Sequence, residues 1–196
     1  MTPKEWAEIA QLAYTSEPSI GDESSAARIV YVESDDGLIL AIPGTNNMAC
    51  ILVDLDTFLK DAQDCGMVHQ GIWEAFDPVW DVVSGLNVNA IVGHSEGAAG
   101  AIYLGARLCL IGKPPKVIYA WEPPRTSIDT KLADIFLANN VDLHIMWHGN
   151  DIVPDVPPSW EHFTWQHAGK PEKFGNASSS EPNIEDHFIE NIIKDL

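Results

Sequence analysis

Apolar and polar residues recur along the 196-residue chain in two periods, and the switches between them mark out its elements. Trp6, Ile9, Leu12 and Ala13 fall at helical spacing and predict a short amphipathic helix at the start. Arg28 to Ser34 predicts a strand, Asp35-Asp36-Gly37 a hairpin turn, and Leu38 to Pro43 the strand that follows, ending in a Gly-Thr-Asn-Asn loop. From Met48 to Cys65 apolar residues cluster, but Asp54, Asp56, Asp61 and Asp64 interrupt every period, so a loop with some strand or helix is expected. Ile72 to Leu86 has helical spacing through Trp73, Phe76, Trp80 and Val83, with Pro78 in an early turn. Val88 to Gly93 is a short, nearly all-apolar strand of the kind buried on both faces, and it runs straight into a small-residue helix from Glu96 to Leu110.

The second half repeats the alternation. Lys116 to Glu122 predicts another buried strand closed by Pro-Pro, Ile128 to Leu137 a helix, and Val141 to His148 a strand. The span 149–182, rich in Pro, Trp and Ser, reads as mostly loop, and a last helix runs through Phe188, Ile189, Ile192 and Ile193. This order predicts an α/β fold around a mostly parallel sheet. Neither a repeat nor a linker interrupts it, so residues 1–196 are expected to form a single domain.

Composition narrows the classes of function. With 45% apolar residues and seven Trp, the chain has the means to bury a core. Eleven basic against 29 acidic residues give a net charge of -18, a field that repels phosphate backbones and anionic headgroups, so neither nucleic acid nor a charged membrane surface is an expected partner. No stretch has the apolar length of an integral membrane segment, and the first residues lack the apolar core of a signal peptide, so a cytoplasmic protein is expected. Cys50, Cys65 and Cys109 cannot all pair and form no CxxC, which suits a reducing compartment.

One motif carries chemistry. Gly93-His94-Ser95-Glu96-Gly97 is a G-x-S-x-G pentapeptide between a buried strand and a helix that opens on Ala98, Ala99, Gly100 and Ala101. A serine at such a strained turn has its hydroxyl pushed out at the carboxyl edge of the sheet, and small neighbours let the turn close. The amide of the next residue, Glu96, then points to where an oxyanion would form. The bland alternative makes Ser95 a helix cap. A nucleophilic serine needs a base and an orienting carboxylate, which in this kind of fold follow in the order acid, then histidine. Asp151, just after the strand ending at His148, fits the acid, with Asp155 as a nearby competitor and Asp142 at the wrong end of that strand. His162, His167 and His187 remain as candidate bases. His144 and His148 have no third ligand at metal-site spacing, the Asp54-to-Asp64 cluster lacks the central Gly of a calcium loop, and no phosphate-binding glycine loop is present, so no metal or cofactor is expected.

At this level of detail the chain resembles the fungal-type class 3 lipase family. Seven short pieces stand in that family's order: Ala10-QLAYTSEP, Ala41-Ile-Pro-Gly-Thr45, Val68-His-Gln-Gly71, the elbow, Ala120-Trp-Glu-Pro-Pro-Arg125, Asn150-Asp-Ile-Val-Pro154 with Pro157-Pro158, and Asp186-His187-Phe188. The resemblance implies an α/β-hydrolase-like three-layer sandwich and a serine hydrolase cleaving carboxylic esters through Ser95, Asp151 and His187. It implies Thr45 and the Glu96 amide as oxyanion donors, His167 as a structural histidine, and a small ester or lipid as substrate. An amidase, thioesterase, acyltransferase or non-catalytic relative would share the same scaffold. Two positions depart from the family's pattern. Pro43 replaces an arginine, so whatever that side chain anchors must be held otherwise, and Glu96 replaces a leucine. The Glu96 side chain is expected to point to solvent. Residues 46–70 match the region of the family's lid and read either as a short lid or as a strand and helix of the core, and Trp160 and Trp165 are read mainly as loop packing.

Overall fold

The computed structural model describes residues 1–22, 25, 27–45, 58–159 and 163–196. The expectations for residues 46–57, and those for Trp160, His162 and Cys50, lie outside the described residues. Helix α1 (Pro3–Leu12) is the amphipathic helix expected at the start. Thr2 caps the first turn, Pro3 presets its backbone, and Glu5 reaches back to the Thr2 amide. Strands β1 (Val30–Ser34) and β2 (Gly37–Ile42) form an antiparallel hairpin. Strands β3 (Leu59–Asp61) and β4 (Met67–His69) pair in a separate small sheet.

The helix predicted from Ile72 to Leu86 is divided in two. Helix α2 (Gln70–Phe76) and helix α3 (Trp80–Gly85) are separated by a tight turn at Asp77–Val79, because Pro78 has no N–H to continue the ladder. The alternation then runs as expected through β5 (Val88–His94), α4 (Glu96–Leu110), β6 (Val117–Trp121), α5 (Lys131–Ala138) and β7 (Asp142–His148). Inside the predicted loop lies a further strand, β8 (Pro171–Phe174). It has no apolar period because it is a sheet edge, and its proline occupies the first position, where no ladder donor is lost. His187 closes a short turn, Glu185–His187, rather than beginning helix α6 (Ile189–Asp195).

The main sheet has the order β1-β2-β5-β6-β7-β8, parallel throughout except for the β1–β2 hairpin. Successive residues of each central strand serve opposite cores. Leu40, Ile42, Ile91, Ile118, Ala120 and Ile145 pack with α2 to α5 on one face. Ile39, Ala41, Ala90, Val92, Tyr119, Trp121 and Met146 pack with α1 and α6 on the other. Each large side chain so buried stabilises the fold by about 1.5–3 kcal/mol. The result is a three-layer α/β sandwich, in which β5, β6 and β7 lie side by side and end at the same edge.

Candidate active site

Ser95 follows β5 with φ 60° and ψ -129°, a conformation that an L-residue adopts only under constraint. Close backbone approach explains its glycine neighbours. A Cβ on Gly93 would stand 2.2 Å from the Gly97 carbonyl oxygen, and one on Gly97 would stand 2.4 Å from the Pro43 carbonyl oxygen. The Ser95 side chain makes no capping bond to α4, and its Oγ has no hydrogen-bond partner among the described residues, so the cap reading is not what the hydroxyl does. Its amide donates to the Trp121 carbonyl at 2.8 Å, tying the elbow to β6. One expectation is corrected: the hydroxyl sits at the carboxyl edge of the sheet but is fully buried. Gly44 packs so closely over it that a Cβ there would come within 2.6 Å of the Ser95 Cβ.

Asp151 and His187 are brought together. The His187 Nδ1–H donates to Asp151 Oδ2 at 2.6 Å, and neither side chain has any exposed surface. The other Asp151 oxygen, Oδ1, accepts the Val153 N–H at 3.0 Å. With Nδ1 committed, the free lone pair is on Nε2, which is buried and has no partner among the described residues. Ser95 Oγ and His187 Nε2 are not hydrogen-bonded to each other. A bond of this kind commonly forms only when substrate is bound.

The competing candidates are engaged elsewhere. Asp155 pairs with Arg125 at 2.7 Å, while Asp142 lies at the far end of β7 beside His144. His167 Nε2–H donates to the Pro154 carbonyl at 2.9 Å, and burial lowers its pKa to about 4. His144 stacks on Tyr119, and His148 bonds the Asp186 carbonyl and the Asp195 carboxylate, so the two share no site.

Several residues that sequence reasoning left unassigned hold this arrangement. The Gly44 N–H donates to Tyr14 Oη at 2.8 Å, and the Tyr14 O–H donates to His94 Nδ1 at 2.6 Å. The His94 Nε2–H then donates to the His187 carbonyl at 2.8 Å. Burial, and then the nearby His187, push the His94 pKa well down, which suits a neutral ring with one donor and one acceptor. This chain of bonds links the loop before Thr45 to the turn bearing His187. With Pro43 where the family's pattern has arginine, Tyr14 is what holds the Gly44 amide. On the other side, the Asp186 carboxylate accepts the Asn150 N–H at 2.8 Å, the Ser178 N–H at 3.0 Å and the Asn183 Nδ2–H at 3.1 Å. Burial raises its proton affinity, but these donors outweigh that and bring the pKa down to about 2. Arg125 ties the acid loop through the Asp155 and Pro157 carbonyls at 2.7 and 2.9 Å.

Thr45 follows Gly44 and is half-buried. Glu96 is the first residue of α4, where an amide has no intrahelical acceptor. Its side chain does not reach open solvent as expected. It is half-buried, and desolvation raises its proton affinity.

Residues 39–160, more than half of the chain, match the family described as lipase (class 3). The chain belongs to the class 3 lipase family. The matched span of this class 3 lipase includes Thr45, Ser95 and Asp151 and stops before His187. It is similar in structure to the lipase of Rhizopus microsporus var. chinensis, with TM-score 0.74 and 19% identity over 95% of this chain and 87% of that one. The N225Q mutant of MDLA from Penicillium cyclopium gives TM-score 0.74 and 18% identity over 93% and 82%. The Lip2 lipase of Yarrowia lipolytica gives TM-score 0.61 and 18% identity over 93% and 81%. No curated protein matches the chain. As a class 3 lipase the protein is a carboxylic ester hydrolase acting on a lipid or ester substrate. Among the described residues no helix is long and apolar enough to cross a membrane.

Proposed function

We propose that ester cleavage by this lipase runs through Ser95, His187 and Asp151. The observation that carries this reading is the 2.6 Å bond between the buried Asp151 and His187 side chains, on the same sheet edge as an elbow serine whose hydroxyl no other described residue uses. His187 Nε2 takes the Ser95 proton as Oγ attacks the ester carbonyl, and Asp151 stabilises the imidazolium that forms. The Thr45 amide or hydroxyl and the Glu96 amide receive the oxyanion, each such donor contributing about 3–4 kcal/mol. Protonated His187 then returns its proton to the leaving alcohol. Water, activated by the same imidazole, releases the acid from the acyl-enzyme. Because Ser95 is fully buried, substrate entry requires the segment around Gly44 and Thr45 to move off it. The net charge of -18 favours neutral or soluble esters over anionic interfaces. The buried, unpaired Cys65 and Cys109, each with its pKa raised to about 11 by burial, support a protein kept in a reducing compartment.

A fluorophosphonate probe tests the reading directly. It should label Ser95, and Ser95→Ala should abolish both labelling and turnover of p-nitrophenyl esters. Labelling that survives the substitution, or no labelling of a protein shown to be folded, overturns it. A series of esters from acetate to long-chain acyl then reads the chain-length preference.

A further inference from the structure

A second carboxyl group lies at the acid end of this site. Glu122 follows β6 immediately, as Ser95 follows β5, and it has no exposed surface. Its backbone sits at φ 51°, a left-handed conformation that a glutamate does not choose for itself, and its amide is fixed to the Met146 carbonyl at 3.0 Å. The side chain therefore points into the sheet edge because the backbone is held, not because it is free to swing there. Its Oε1 accepts the His148 N–H. Its Oε2 is equally buried and is offered no donor by any described residue. The charge that acts on it most is that of another acceptor, the Asp151 carboxyl, carried on the loop that follows the neighbouring strand β7.

Two buried carboxyl groups side by side can hydrogen-bond to each other only if one of them holds a proton. Asp151 already accepts from His187 Nδ1 and from the Val153 amide, so its oxygens are placed as acceptors. Glu122 accepts one amide and faces negative charge from Asp151 and, further off, from Asp186. Burial first, and Asp151 second, push the proton affinity of Glu122 far above that of an ordinary glutamate.

Resting on the Ser95–His187–Asp151 reading, we propose that Glu122 is held protonated and donates its proton in a hydrogen bond to the Asp151 carboxylate, as a positioning residue that sets the orientation and charge of the acid. The acid end of the site is then a carboxyl–carboxylate–imidazole line. By donating to Asp151, Glu122 draws off part of the negative charge that would otherwise raise the basicity of His187.

Two variants and two readouts test this. In the acid limb of the kcat/KM–pH profile, which reports the ionisation of His187 in the free enzyme, Glu122→Gln should leave the midpoint within about 0.3 pH unit, because a neutral donor replaces a neutral donor. Glu122→Met removes the donor and should move the midpoint up by about 0.5–1 pH unit. A downward shift in Glu122→Gln would mean that a full negative charge had been removed, and it overturns the proposal. So does an unmoved midpoint in Glu122→Met.

The second readout needs no activity, so it separates failure of this proposal from failure of the catalytic reading. A carboxyl whose pKa is raised on folding contributes stability that is complete below the unfolded value near 4.5 and is lost as pH rises towards the folded value. The urea midpoint of Glu122→Gln should therefore gain steadily on the wild type between about pH 5 and 8. A difference that stays constant across that range overturns the proposal.

Discussion

Replacing Tyr14 by Phe removes one oxygen and breaks two hydrogen bonds, the one accepted from the Gly44 amide at 2.8 Å and the one donated to His94 Nδ1 at 2.6 Å. Each group left unpaired in a buried setting costs about 1–3 kcal/mol. Gly44 and His94 are both buried, but Tyr14 itself is only part-buried, so water recovers some of the loss and about 2–3 kcal/mol is expected in total. For a chain of this size that corresponds to a fall in Tm of about 5–10 °C. The kinetic consequence is separate. The Gly44 amide sits directly before Thr45, and an oxyanion donor acts only within a few tenths of an ångström of its place, so kcat should fall about tenfold to a hundredfold with little change in KM. Thermal unfolding and p-nitrophenyl ester kinetics on the same preparation measure both. A Tm within about 2 °C of wild type would refute the bonding argument. A lowered Tm with kcat within about twofold of wild type would refute the coupling of Tyr14 to the oxyanion loop.

Three further outcomes follow from the same geometry. Gly97→Ala drives a methyl group to 2.4 Å from the Pro43 carbonyl oxygen, so the urea midpoint should fall by an amount equivalent to about 3 kcal/mol, and probe labelling of Ser95 should be lost at temperatures where the protein remains folded. Asp186→Asn should flatten the acid limb of stability. A carboxyl lowered to about 2 contributes stability present above the ordinary aspartate value and lost as pH falls from about 4 to 2, and the amide cannot titrate. His167→Gln should act in a higher window. A histidine lowered to about 4 stabilises the fold above its ordinary value of 6.5 and loses that stability as pH falls towards 4, so the variant's urea midpoint should depend less on pH there, while ester turnover keeps the acid limb set by another group.

The parts of this molecule legible in the sequence are those where one local rule dominates. The period of β5 and the small residues of α4 predict the elbow, because a strand buried on both faces and a helix packed tightly against it leave few residue types possible. Pro78 was legible as a proline but not as a break, because hydrophobic spacing on both sides of it continues in phase. Strand β8 was hidden because an edge strand needs no apolar face, and Pro171-Glu-Lys-Phe174 buries little. Asp151 and His187 could be ordered but not singled out, since no local pattern separates His187 from His167. What separates them is tertiary: one is met by a carboxylate, the other by the Pro154 carbonyl.

The supporting residues were illegible for a physical reason that also bears on function. Ser95, Glu122 and Asp151 follow β5, β6 and β7, so parallel pairing alone sets three side chains from distant parts of the chain along one edge. His187 belongs to no strand. It rides on a single turn of Glu185–His187, an element too short to hold itself, and among the bonds that hold that turn from outside three act as tethers to the ends of β5 and β7. Its carbonyl accepts from His94, the residue before Ser95, the Asp186 carbonyl accepts from His148 at the end of β7, and the Asp186 carboxylate grips the loop that carries Asp151. Every tether runs back to a strand end that also supplies the nucleophile or the acid. A base fixed in this way keeps its place relative to the two groups it must serve even when the segment over Ser95 moves, because none of the three tethers passes through that segment. The Gly44–Tyr14–His94 chain connects the two, which makes Tyr14 a residue through which motion of the cover would be felt at the proposed base.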